Sequence, residues 1–560
     1  AAQGCGAARP AWGAFARLPV QAAVAASGRP ALFAHLAHAL DERTAAWTEA
    51  HEAACKARDD QAGELFARRM LCLDRRNAET RAFVEQLSVP QDGDTLDKAV
   101  GAVGQLGAIA DCQDSDALLG LKPRPHTEHA LDVDHRLARA DALDTLGKYK
   151  DELAIVQPIV GEARTLGYGG AAAEALHLQA RALDGLAQYK EAETAAYDAI
   201  TEAGRAGDDV LAARAMLLQI YITNDDEGKP DIAMALARAA EGMIARTHRP
   251  ELAASLEMYR GSILYGQGKF AEALDEYESA LAKYLAMPAQ RLSLARTYNN
   301  MSLVEGDAGR LQQSLEHARQ ALAIYETELG REHPDSLTIR VNIAMGEQRL
   351  GMVDQARTDY HDVIAAIERT FGPDHGQLAA PLSNLASLEA DAGNLDVSLP
   401  LAQRANAIVE KAFGPENPRM AWTLDNVAEN LRRLGRLDEA EATERKALAV
   451  GQKAFGADNP DLAYELDNLG KILRDRGKLA EARASIEGGL ALRQKTLGAD
   501  NEAVGWSLGS RASVLQAQGD CAGALVDAKH AVAILEAKLG KDHHDLAAPR
   551  AVIAACSAKK

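Results

Sequence analysis

A ruler of 42 residues governs the carboxyl-terminal half of this chain. Residues 411–435, KAFGPENPRMAWTLDNVAENLRRLG, and 453–477, KAFGADNPDLAYELDNLGKILRDRG, set Phe413 against Phe455, Asn417 against Asn459, Pro418 against Pro460, Asn426 against Asn468 and Gly435 against Gly477. Extended both ways, the ruler yields two glycine columns: Gly309, Gly351, Gly393, Gly435, Gly477 and Gly519, then Gly330, Gly372, Gly414, Gly456, Gly498 and Gly540. Two punctuation points per repeat specify two helices. A chain of 560 residues is too long for one growing hydrophobic core, and stacking such units is how a repeat solves that problem.

The chemistry of one unit gives the helices. Asn417 followed by Pro418 reads as an N-cap acceptor and a first helical residue with no N–H to satisfy. Leu424, Val427, Ala428, Leu431 and Leu434 follow at helical spacing, and Gly435 ends the helix in a left-handed conformation. Asp438 is expected to cap a second helix, whose apolar side carries Leu437, Ala440, Ala447 and Leu448 and which ends near Phe455 and Gly456. Upstream the period relaxes to about 40, with turns at GKY 147–149, AQY 187–189, GKP 228–230 and GKF 268–270. The expected organisation is a helical cap over residues 1–125, degenerate repeats over 129–290, six 42-residue repeats over 291–542 and a capping helix over 543–560. That makes ten helix pairs and an eleventh unpartnered first helix.

The stretch DNVAENLRRLGRLDEAEATERKAL, with its small residues Ala428, Ala440 and Ala447, resembles the tetratricopeptide repeat. The linker, as in FGADNP at 455–460, and the 42-residue period resemble its kinesin-light-chain type. HEAT repeats share the length but not the small-residue column. The resemblance implies an all-α, right-handed superhelical solenoid of antiparallel helix pairs. Aromatic residues make up only 4 % of the chain, which suits helices packed through small side chains better than sheets.

A net charge of −19 with no basic stripe excludes nucleic acid as an expected partner. Apolar runs such as AIVQPIVG are too short to cross a bilayer, so no membrane insertion by this chain is expected. The first residue is Ala1 rather than Met, as in a processed or excised product.

Cysteine placement bears on compartment. Cys521 opens the last second helix and Cys556 lies near the end of the capping helix; they stand 19 residues before and 16 after Gly540. The mismatch of three residues, about 4.5 Å of helix rise, is within reach of a disulfide. Cys5, Cys55, Cys72 and Cys112 all precede the repeats and allow three pairings. Cysteines near the two ends of the chain and none between residues 113 and 520 suit staples in an extracytoplasmic protein, whereas no CxxC or CxxH pair supports zinc. The run AWTEAHEAACKARDDQAGELFARRMLCLDRRNAETRAFVEQL, with Trp47, Cys55, Met70, Cys72, Leu73, Arg75 and Arg76, and the ADCQD stretch at 110–114 resemble the segment just outside the membrane in myxobacterial-type serine/threonine kinases. That resemblance implies a sensor ectodomain. No glycine-rich phosphate loop, HRD or DFG is present, so kinase catalysis does not carry over to this chain.

Other chemistry is sparse. His126 and His129, near Asp132 and Asp134, read as solvated linker residues, and His543 and His544 as cap residues. No GxSxG, HExxH or Walker sequence occurs; the chain is read as non-catalytic, without cofactor or metal. The informative surface is the first helix of each repeat. Asn300, Asn342, Asn384, Asn426 and Asn468, continued by Ser510, form one column, and Trp422, Tyr464 and Trp506 stand four residues earlier on the same face. The tetratricopeptide resemblance implies that this face lines a groove where amides bond a peptide backbone and aromatics anchor side chains. Asp425 and Asp467 beside the column favour a neutral or basic protein or peptide ligand. A second reading is a structural protein that self-associates end to end. The polar carboxyl end, with Ser557, Lys559 and Lys560, opposes stacking; Ala31, Leu32, Phe33 and Leu36 leave the amino end open.

Overall fold

The computed structural model describes residues 5, 9–28, 30, 32–58, 62–120, 127–226, 228–456, 459, 462–541 and 544–558. His126, Pro460, His543, Ala31, Lys559 and Lys560 lie outside the described residues. Among the described residues there is no strand. The amino-terminal region holds α1 (Ala14–Ala26), α2 (Leu32–Lys56), α3 (Gly63–Leu87), α4 (Gly93–Val103), a 3-10 turn at Ile109–Gln113 and α5 (Ser115–Gly120). Successive pairs follow: α6 (Glu128–Thr145) and α7 (Tyr149–Thr165), α8 (Gly169–Gly185) and α9 (Tyr189–Ala206), α10 (Asp209–Tyr221) and α11 (Pro230–Thr247), α12 (Pro250–Gly266) and α13 (Phe270–Leu285). The 42-residue register then gives α14 (Arg291–Asp307) and α15 (Leu311–Glu328), α16 (Pro334–Arg349) and α17 (Val353–Phe371), α18 (Ala379–Asp391) and α19 (Leu395–Phe413). It continues with α20 (Arg419–Arg433) and α21 (Leu437–Phe455), α22 (Leu462–Asp475) and α23 (Leu479–Leu497), α24 (Glu502–Ala517) and α25 (Cys521–Leu539), and closes on α26 (Ala547–Ser557).

The chain divides into two compact units, Ala1–Thr297 with Ala323–His333, and Tyr298–Leu322 with Pro334–Lys560. In the first, α1, α2, α3 and α4 bury Trp12, Leu36, Leu40, Phe83 and Leu87 around one core, which Leu329 also joins. Leu32 and Phe33 pack against that core and Leu36 is fully buried, whereas Phe15 and Leu18 of α1 are exposed. In the second unit Ala344, Ala386, Ala428 and Ala512 of the first helices and Ala356, Ala440, Ala482 and Ala524 of the second helices are all 0 % exposed. Side chains of one carbon let the helix axes approach to the short end of ordinary packing distances. Gly470 takes the same role in its repeat: a Cβ there would meet Ile486 Cδ1 at 2.8 Å.

The two glycine columns do different work. Gly435 has φ 74°, the left-handed turn that lets Arg436 N–H reach back to Leu431 O at 2.9 Å and close the helix. Gly414 has φ 88° and ψ 162°, a region essentially reserved for glycine. In the degenerate repeats the first kind of turn is filled once by Ala187, at φ 58°. Helix starts differ slightly from expectation. Asn417 Oδ1 accepts from Arg419 N–H at 3.0 Å, but the helix is counted from Arg419 with Pro418 as its flanking residue. Asp438 does not cap α21: the chain re-enters helix directly at Arg436, leaving Asp438 in the first turn, where it pairs with Arg476.

Candidate functional site

The expected groove face lies on the first helices of the carboxyl-terminal unit. Trp422, Tyr464 and Trp506 are 41 %, 57 % and 37 % exposed, large fractions for such side chains in a packed repeat. Trp506 Nε1 donates to Asp545 Oδ2 at 2.8 Å, which fixes its ring and leaves its face open. Tyr464 is open to solvent, yet the surrounding protein desolvates its phenol and, with Asp425 nearby, pushes it up to about 12.

The asparagines serve their neighbours. Asn342 Nδ2 donates to Asn299 Oδ1 at 3.1 Å, across adjacent repeats. Asn384 is hydrogen-bonded to the Tyr360 hydroxyl. Asn426 Nδ2 makes a long bond of 3.3 Å to Trp422 O of its own helix, and Asn300 is half-buried. Asn468 is buried; it donates to Asp425 Oδ1 and accepts from Lys471 Nζ at 2.8 Å. Spacing alone puts an amide on a face, but its hydrogen-bond partners depend on the adjacent repeat.

Beneath the aromatics lies an acidic bed that the sequence reading located only in part, through Asp425 and Asp467. Asp425, pushed up to about 6 by burial, meets Glu444 of α21, which is 0 % exposed. Burial, with the charges of Asp425 and Glu465 adding to it, raises the Glu444 carboxyl well above the ordinary range and favours its neutral form. Lys471 is the nearby cation. Asp467 is held by Arg493 Nη1 at 2.6 Å and Ser507 Oγ at 2.9 Å. Because Glu444 takes up a proton on folding, its stabilisation is complete below its ordinary value of 4.5 and is lost as pH rises through its raised folded value. Glu444→Gln is therefore expected to melt above the unsubstituted chain at pH 8, with the difference shrinking toward pH 4. A melting-temperature series across that range checks it; a gap independent of pH would remove the argument.

All six cysteines are paired. Cys5 bonds Cys55, Cys72 bonds Cys112 and Cys521 bonds Cys556, with Cα separations of 5.7, 5.5 and 5.2 Å. His129 Nε2 stands 3.6 Å from Glu162 Oε2 on the adjacent helix. Among the described residues no group of three or more His, Cys, Asp or Glu could hold a metal ion, and no helix is long and apolar enough to cross a membrane.

No curated protein matches the chain. Among solved structures, a putative kinesin light chain of Podosopora anserina with nearly identical repeats is 23 % identical over 37 % of this chain and 98 % of its own, with a TM-score of 0.32. BtubC from P. vanneervenii is 21 % identical over 43 % of this chain and 93 % of its own, at 0.34. Aspartyl phosphate phosphatase F from Bacillus subtilis is 14 % identical over 75 % of this chain and 98 % of its own, at 0.43. The tetratricopeptide repeat family matches residues 294–335, 335–405, 377–453 and 461–537. Over those residues the chain is built of tetratricopeptide repeats, units of paired helices.

Proposed function

We propose that the chain is a scaffold that binds a peptide or protein along the inner face of its carboxyl-terminal repeats. The observation that carries this is the exposed column Trp422, Tyr464 and Trp506, repeated on successive first helices while the small residues around it are buried. Aromatic side chains lose little conformational freedom on binding and give large contact areas, which makes them effective anchors. Asp425 and Glu429 act on the Tyr464 phenol as nearby negative charges, which favours a neutral or basic ligand. Asn426, with one long bond inside its own helix, remains able to meet a ligand backbone; Asn468 belongs to the wall behind it.

The test is to select basic and neutral peptides on the full chain from a displayed library. The triple variant W422A/Y464A/W506A should bind the selected peptides at least tenfold more weakly, with an unchanged melting temperature. Asn426→Ala should weaken binding and Asn468→Ala should lower the melting temperature. Selected peptides that bind the triple variant as tightly as the parent would rule out this face.

For setting, the favoured reading is an extracytoplasmic sensor or docking region of a bacterial membrane serine/threonine kinase. The three cysteine pairs support an oxidising compartment, and the resemblance of residues 46–87 supports the kinase association. Thiol labelling of the native protein tests the first point: six reactive thiols would refute it.

A further inference from the structure

A cavity of about 1650 Å³ lies within the amino-terminal unit, far from the aromatic column in sequence. One wall is α3, which contributes Phe66, Met70 and Leu71; the other is made by the turns that lead into α8, α10 and α12. The amino ends of three helices open toward it, that of α10 already met by Asp208, whose Oδ1 accepts from Leu211 N–H at 2.9 Å. The lining is mixed in charge: Arg214 from α10 and Arg249 from the residue before α12 stand among carboxylates that include Glu79, Asp141 and Glu251. His177 lines it as well. Burial, with the charges of Arg181 and Arg214, lowers its imidazole to about 3, so the ring is neutral, and its buried Nδ1 has no hydrogen-bond partner.

The chain itself shows what these groups accept. Arg249 Nη1 lies 2.7 Å from Asp111 Oδ1, and its Nη2 lies 3.5 Å from Asp114 Oδ2. Arg214 Nη2 reaches Asp111 Oδ2 at 3.5 Å, and Arg76 Nη2 stands 3.8 Å from the same oxygen. Asp111 and Asp114 are carried at the 3-10 turn Ile109–Gln113, which the Cys72–Cys112 disulfide ties to α3. Two carboxylates three residues apart thus sit on the arginines as those of a short acidic peptide would. A clamp between turn and repeats would need only these contacts, yet the space beside them exceeds the roughly 300–1,000 Å³ of an ordinary small-molecule pocket.

We propose that this cavity is a second binding site, for an acidic peptide whose carboxylates replace Asp111 and Asp114 on Arg214 and Arg249. Polar recognition is concentrated at the arginines, and Phe66, Met70 and Leu71 offer apolar contact to the rest of the segment. The resident carboxylates compete with any ligand, so the site is partly self-occupied.

The probe is a fluorescein-labelled peptide copying residues 108–115 with serine in place of Cys112, titrated by anisotropy into the full chain. D111N/D114N, isosteric and with its disulfides intact, should bind the probe at least tenfold more tightly than the parent. Adding Arg214→Gln to that variant should remove most of the gain; the Arg214 side chain is 38 % exposed, so this change is tolerated by the fold. A D111N/D114N chain that binds the probe no better than an asparagine-substituted probe overturns the proposal. If that variant fails to fold, hydrogen exchange on the parent decides: millimolar probe should speed exchange over residues 109–113, and unchanged exchange there overturns it. Citrate displacing the probe at equal affinity would assign a small polycarboxylate site and overturn the peptide.

Discussion

Cys521→Ser with Cys556→Ser is expected to release the carboxyl end of the array. The bond joins the first residue of α25 to the last turn of α26 across 35 residues, and on the chain-entropy account its loss costs about 4 kcal/mol. That cost falls on one place. Each repeat in an array is stabilised by its neighbours, and among the described residues no helix follows α26; its buried side chains are Pro549, Val552 and Cys556. So few apolar contacts cannot hold an 11-residue helix once the tether is gone. Hydrogen exchange should show α26 unprotected and α25 weakened in the double variant, while α16 to α19 keep their protection. The same pattern should follow reduction of the native chain. Protection of α26 surviving in the variant would show that packing alone secures the end. Trp506 provides a functional readout, because its hydrogen-bond partner Asp545 lies in the turn leading into α26.

Gly414→Ala is expected to destabilise its repeat far more than Gly435→Ala. Both glycines have positive φ, but at Gly414 the pair φ 88°, ψ 162° is a conformation that a Cβ all but forbids, costing about 3 kcal/mol. At Gly435, with φ 74°, the left-handed turn is open to asparagine and, at about 1 kcal/mol, to alanine. No heavy atom lies within 4 Å of a Cβ at either position, so the contrast is one of backbone conformation rather than crowding. The natural chain contains the control: Ala187 stands at φ 58° in the first kind of turn. Chemical denaturation of the two variants separates the columns, and equal losses would mean that the glycines at 414 and 435 are interchangeable. Both columns are visible as spacing; their difference is not, because it lies in ψ.

The regular half of the fold could be read in advance for a physical reason. Turn glycines, the Asn-Pro start and helical spacing act through the local backbone, so a window of 42 residues contains most of what specifies a helix pair. Even there, local signals competed: Asp438 has the chemistry of a cap, but the tight closure at Gly435 and Arg436 put it inside the helix. The aromatic column was legible for the same reason, since residues four apart share a helix face. What the asparagines do was not, because Asn468 finds Asp425 only when successive repeats are stacked.

By itself, then, the sequence determined the all-α character, the ten pairs, the small-residue seam and the face that Trp422, Tyr464 and Trp506 occupy. Tertiary structure decided the rest. Which amino-terminal cysteines pair, why Glu444 is driven toward its neutral form beside Asp425, and why Asp111 meets Arg214 and Arg249 are all consequences of contacts between segments far apart in the chain. Ionisation follows the same division: the charge a carboxyl carries depends on the solvent and the partners it has after folding, and neither is encoded in its immediate neighbours.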